Sequence, residues 1–135
     1  MASTSSILEQ QAFPVLNIAQ IARLRSFGTV KATHAGEVLF NIADPDYGLV
    51  VVLDGETEVI DRANGDRILK KSGPGEFNGE LGLLNGQSAF AACIVSKQGE
   101  VLLVPRAGVH EIIATIPELS EVLVTAFTAR RQLLM

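Results

Sequence analysis

Gly75-Glu76-Phe77-Asn78-Gly79-Glu80-Leu81-Gly82-Leu83-Leu84 is the stretch on which the reading of this chain turns. The Gly73-Pro74-Gly75 run that leads into it is a turn signal. Gly79 reads as a second turn and Leu81 as a core anchor. Glu80 suits the first turn of a short helix, where a carboxylate meets the positive end of the dipole. The segment that follows, Asn85-Gly86-Gln87-Ser88-Ala89-Phe90-Ala91-Ala92-Cys93, contains no arginine, and none occurs between Arg67 and Arg106.

Outward from this stretch lie short β-rich runs. Turn signals at Ala35-Gly36, Asp44-Pro45-Asp46, Asp54-Gly55, Asn64-Gly65-Asp66 and Gln98-Gly99 separate them. Even spacing of short strands between Gly and Asp turns argues for a sandwich or barrel. Strands are expected near residues 29–32, 38–40, 49–53, 56–61, 67–72, 91–96 and 100–104. Asn64-Gly65 predicts a tight hairpin, because both central residues of a type I′ turn need positive φ.

Helices flank the β region. Asn17 has Gln20 three residues on, and Ile18, Ile21 and Leu24 follow at helical spacing until Gly28, so residues 17–27 read as an amphipathic helix. The helical period returns around residues 106–114. In the last element Thr115 is the expected cap, with Pro117 in the first turn and Glu118 behind it. Leu119, Val122, Leu123, Ala126, Phe127, Leu133 and Leu134 share one face there, and Arg130 and Arg131 suit the negative end of the dipole. With the β core expected to be complete by about Val104, that face is surplus. It predicts a homodimer through the C-terminal helix.

Composition narrows the function. At 135 residues with 47% hydrophobic and 19% charged residues, the chain is expected to fold as a single domain spanning residues 1–135. A net charge of −4 argues against nucleic acid, whose phosphates need a basic stripe. The apolar runs are too short for a membrane span, and Met1 to Ser6 lack the pattern of a secretory signal. One cysteine excludes an internal disulfide and fits a cytoplasmic setting. Cys93 lies in an apolar run with no adjacent cation, which predicts a buried, inert thiol. His34 and His110 fall on different kinds of element, so neither a metal site nor metal-dependent catalysis is expected. No nucleophile–base set has recognisable spacing, so the chain is not expected to be an enzyme.

The order of elements, with Gly75 to Leu84, Ala35-Gly36-Glu37-Val38-Leu39-Phe40, Asp44-Pro45 and Val52-Leu53-Asp54-Gly55-Glu56, resembles the cyclic-nucleotide-binding domain family. The resemblance covers the chain from about Phe13 to the end. It implies a mainly β fold: a jelly-roll β-roll with flanking N- and C-terminal helices and a short helix in the phosphate-binding cassette. In that family the cassette helix starts at Gly-Glu-Leu, its free N–H groups face the cyclic phosphate, and the glutamate takes the ribose 2′-hydroxyl. By this resemblance Gly79, Glu80, Leu81, Ser88, Ala89 and Phe90 are the ligand-binding candidates. The family's phosphate-pairing arginine would fall at Ser88, Ala89 or Phe90, and it is missing. Ala43 stands where the family has glycine, and Asn78 where it has an apolar residue.

The implied function is a non-catalytic regulatory sensor, with weak or altered binding of a cyclic nucleotide or another small anionic ligand and no cofactor. The alternative is a ligand-free docking or dimerisation module that regulates a fused or partner flavin-dependent disulfide reductase. Phe13-Pro14-Val15-Leu16, Val104-Pro105-Arg106 and Pro117-Glu118-Leu119-Ser120-Glu121 further resemble the sensor domain of some bacterial fused thioredoxin-reductase-like flavoproteins. That likeness implies a fused or partner reductase domain.

Overall fold

The computed structural model describes residues 4–134. Two helices come first, α1 (Thr4–Ala12) and α2 (Ile18–Leu24), the second continuing into a 3-10 turn at Arg25–Phe27. Strands β1 (Thr29–Thr33), β2 (Val38–Phe40), β3 (Leu49–Asp61), β4 (Arg67–Ser72) and β5 (Phe77–Asn78) follow. The short helix α3 (Gly82–Asn85) precedes β6 (Ala92–Val104), and α4 (Arg106–Thr115) and α5 (Pro117–Leu134) end the chain. The capping box at Asn17 forms as expected, with Asn17 and Gln20 each taking the other's backbone N–H at 2.8 Å.

All pairings are antiparallel, in the order β1-β6-β3-β4, with β2 added to β6 and β5 to β3. β3 and β6 form the spine, paired from Leu49↔Val104 to Ile60↔Ala92. Each was expected as two strands broken by a turn, at Asp54-Gly55 and Gln98-Gly99. Both run through instead, and the two glycine sites lie opposite one another. There the register shifts and Gly55 adopts φ +84°, while a side chain on Gly99 would strike the Asp54 carbonyl. The two backbones approach so closely that the pair bends rather than ends, which curls the sheet into a roll. The Asn64-Gly65 hairpin exists, but as a longer loop. Arg62–Asn64 form a 3-10 turn and the positive φ values fall on Gly65 and Asp66.

The helices complete the core rather than decorate it. Val109, Ile112, Ile116, Leu119, Leu123, Ala126 and Phe127 join Leu49, Val51, Phe77, Leu83 and Leu102 in one buried cluster. Phe127 is fully buried and meets Phe77 edge-on, ring centroids 6.4 Å apart. The surplus face expected on α5 is therefore absent at Leu123 and Phe127. Helix α1, which the sequence pattern did not announce, packs along α5 and covers part of it. The side chain of Leu134, and Met135 altogether, lie outside the described residues. Thr115 does not cap α5 either; its hydroxyl donates to the Glu111 carbonyl inside α4 at 2.7 Å.

Removing a fully buried aromatic ring leaves a cavity, so Phe127→Ala should cost about 3–5 kcal/mol in denaturant unfolding. A loss below about 1 kcal/mol would place Phe127 outside the core.

Candidate ligand-binding site

The cassette lies on the inner wall of the roll. β5 pairs with β3 through Val50↔Asn78 and Val51↔Phe77, which delivers Gly79 and Glu80 to the interior. The pocket at this point is lined by Phe13, Phe40, Tyr47, Val59, Lys70, Asn78, Gly79, Glu80, Ala89, Phe90, Ala91 and Arg130, and its free volume is about 40 Å³. That holds a few waters; drug-sized ligands need roughly 300 Å³ or more. Of the candidate residues, Gly79, Glu80, Ala89 and Phe90 converge here. Ser88 is exposed and outside the lining, and Leu81 packs against the core instead.

The cassette helix starts later than the family resemblance implies, at Gly82, with Leu81 at its N-cap. Its amide is not free. Glu80 Oε2 accepts from the Gly82 N–H at 3.0 Å, while Oε1 accepts from the Tyr47 hydroxyl. Burial, reinforced by the Glu80 carboxylate, raises the Tyr47 phenol well above its ordinary value, so it remains a donor. Glu80 thus serves as the anion at its own helix start. Gly82 permits this, because a methyl there would fall on the Glu80 carboxylate.

Two arginines from the C-terminal helices act on the cassette. Arg106, in the first turn of α4, donates through Nη1 to the carbonyls of Gly82 and Leu83 and through Nη2 to those of Pro45 and Gln87, at 2.7–3.5 Å. It also lies over the Tyr47 ring, 5.2 Å from its centroid. His110 Nε2 adds a contact to the Leu83 carbonyl at 2.9 Å. The exposed carbonyl end of α3 is thereby held by α4.

Arg130 was read from the sequence as a partner for the dipole of α5. Its helical phase says otherwise, since it follows Phe127 by three residues and so shares the buried face. It is only 5% exposed and donates through Nε to the Ala12 carbonyl and through Nη1 to the Gly79 carbonyl, both at 2.7 Å. The rings of Phe77 and Phe13 lie 4.5 and 5.3 Å from its guanidinium carbon.

Asn78 is buried, and the structure shows why a polar residue is accepted there. It accepts from Ser72 Oγ at 2.9 Å and donates to Thr57 Oγ1 at 2.7 Å and Cys93 Sγ at 3.4 Å. The network is closed, which limits its burial cost. Burial pushes the Cys93 thiol up to about 12, despite the Asn78 and Thr57 contacts that pull it down.

An antiparallel roll with a glycine-led cassette between its fifth and sixth strands, closed by C-terminal helices, defines the class of cyclic-nucleotide-binding β-rolls. The family described as cyclic nucleotide-binding domain matches residues 30–116, and the chain belongs to it. Among solved structures the chain is similar to the Thermus thermophilus catabolite activator protein, at 25% identity and a TM-score of 0.71 over 90% of this chain and 58% of that one. It is also similar to a cyclic nucleotide-binding domain from Methylobacillus flagellatus KT, at 21% identity and a TM-score of 0.68 over 98% and 82% of the two chains. The N-terminal domain of a Streptomyces coelicolor A3(2) transcriptional regulator gives 27%, a TM-score of 0.62, and coverage of 87% and 82%. The chain thus spans a little over half the length of the Thermus protein. No curated protein matches the sequence significantly. No helix among the described residues is long and apolar enough to cross a membrane.

Two outcomes follow from the geometry. Cyclic AMP and cyclic GMP should bind the native chain with dissociation constants above about 1 μM in calorimetry, and Gly82→Ala should tighten binding about tenfold by evicting the Glu80 carboxylate. Unchanged affinity would mean that the filled pocket, not the carboxylate, excludes the nucleotide. The second outcome concerns Cys93, whose folded value lies above the ordinary 9.0. Its contribution to stability is complete below pH 9 and is lost as pH rises toward 12, because the unfolded thiol ionises first. The native protein should lose more stability between pH 8 and about pH 10.5 than Cys93→Ala does, measured by denaturant unfolding. Equal losses would show an accessible, ordinary thiol.

Proposed function

We propose that the chain is a non-catalytic regulatory sensor, one domain working in the cytoplasm, that binds a small anionic ligand at the cassette. Cyclic nucleotides are weak members of that ligand class, and the C-terminal helices carry the response onward. The Arg106 brace carries this reading. One side chain on α4 gathers four carbonyls from the cassette and the Pro45 turn, so α3 cannot reorder without moving α4. Ligand entry would require Glu80 to release the Gly82 amide, and that release loosens the helix Arg106 holds. A ligand shifts this balance only through its preference for one of the two arrangements. In the docking reading below, on the likeness stated above, the module regulates a fused or partner flavin-dependent disulfide reductase.

The small pocket and the self-capped helix favour a second reading, a ligand-free docking or dimerisation module. Pairing of two copies would then use a surface other than Leu123 and Phe127, which are spent inside the fold.

Hydrogen exchange separates the two readings. Millimolar cyclic AMP or cyclic GMP should change protection in both α3 and α4, and Arg106→Gln should leave affinity within about twofold while abolishing the α4 response. Ligand binding without any response in α4 defeats the sensor reading. Absence of binding by either nucleotide and by inorganic phosphate leaves the docking module.

A further inference from the structure

The cassette lacks its arginine, yet a guanidinium stands in the same pocket, supplied by the C-terminal helix. We infer that Arg130 is the anion-recognition residue of this site, and that the site takes a ligand bearing a phosphate-type oxyanion. The inference rests on the sensor reading above and names the chemistry of its ligand.

Arg130 is among the most buried polar side chains of the chain, and no carboxylate lies within 4.0 Å of it among the described residues. Its two hydrogen bonds go to neutral carbonyls, of Ala12 and Gly79, and Nη2 donates to no described residue. The carboxylate that acts on it, Glu76, does so from beyond 4.0 Å and is paired with Lys70 at 3.3 Å, and a desolvated cation so thinly compensated is costly unless an anion completes it. Here Phe13 and Phe77 cover the guanidinium, which leaves the in-plane N–H groups as its means of binding. A planar fork of this kind matches the paired oxygens of a phosphate.

The rest of the lining agrees in charge. Lys70 is a second cation on the pocket wall, held over Phe13 and 3.3 Å from Glu76. Glu80 is the one carboxylate in the lining, and its oxygens already accept from Tyr47 and Gly82. Arg106 is not the substitute: its Nη donors are committed to carbonyls of the cassette and the Pro45 turn, and its unpartnered Nε is buried outside the pocket lining. An oxyanion at Arg130 would compete with the Gly79 carbonyl and so act on α5 and the cassette together.

The test is calorimetry and thermal stability with three probes, inorganic phosphate, cyclic AMP and cyclic GMP. They are applied to the native chain, Arg130→Gln, Arg130→Met and the exposed control Arg131→Gln. At least one probe should bind and raise the melting temperature of the native chain. Both Arg130 variants should lose at least about tenfold in affinity, and Arg131→Gln should match the native chain. A response to phosphate alone identifies a free oxyanion as ligand; a response to the nucleotides alone identifies the phosphodiester. Native binding that survives in a folded Arg130 variant overturns the assignment and leaves the sensor reading intact. Failure of all three probes on the native chain overturns both. If neither Arg130 variant folds by circular dichroism, Arg130 is a structural latch and the inference is wrong.

Discussion

A methyl group on Gly79 would lie 2.8 Å from Leu49, 2.9 Å from Leu83 and 3.4 Å from the Phe127 ring. The bare backbone at this position lets α5 settle onto the cassette, and the rest of the molecule is arranged around that contact. Phe127 fills the space beneath, and Arg130, one turn further along, closes over the Gly79 carbonyl. A methyl there must push aside the ends of Leu49 and Leu83, while the Phe127 ring lies at ordinary contact distance, so bulkier side chains at 79 crowd the seat of α5. Packing at this point and the electrostatics of the site are one constraint, because a single helix face supplies both.

The architecture was legible in the sequence wherever local chemistry decided it. The Asn17 capping box and the strand at Val38–Phe40 follow from local sequence signals, whereas α5 starts at Pro117 without its expected Thr115 cap. The misread points share a cause of another kind. Asp54-Gly55 and Gln98-Gly99 look like turns singly; only their meeting across the sheet makes them a matched bend, and no local pattern carries that pairing. Phe127 was assigned to an outer face because a helix periodicity states which residues share a side and not what that side meets. Four of the six candidate site residues do converge, since the cassette is contiguous in sequence. The place of Arg130 at the cassette, as opposed to the helix dipole, was not legible because it lies 51 residues from Gly79, whose carbonyl it bonds.

The strain left in the fold is placed beside the same site. Ala43 holds a left-handed φ of 67°, which costs a non-glycine residue about 1–2 kcal/mol. The turn persists because its N–H donates to the Ala89 carbonyl at 2.8 Å, and the Ala89 N–H returns a bond to Asp44 at 3.0 Å. Pro45, two residues on from Ala43, accepts from Arg106. The turn, the second half of the cassette and α4 are therefore joined by direct hydrogen bonds.

A pocket closed by its own groups responds differently from an empty one. In an open site a ligand adds contacts; on the proposed sensor reading a ligand here would have to displace the Glu80 carboxylate from the Gly82 amide and share Arg130 with the Ala12 and Gly79 carbonyls. Each bond exchanged is charge-assisted on one side, worth about 1.5–3 kcal/mol, so the internal partners subtract directly from ligand affinity. The same subtraction makes binding informative. A ligand that merely filled space would leave α5 where it is, whereas one that takes Arg130 from Gly79 removes a tie between the last helix and the cassette. On the proposed sensor reading, weak affinity and strong coupling would be two consequences of one arrangement, because the free energy withheld from binding would be what shifts the helices.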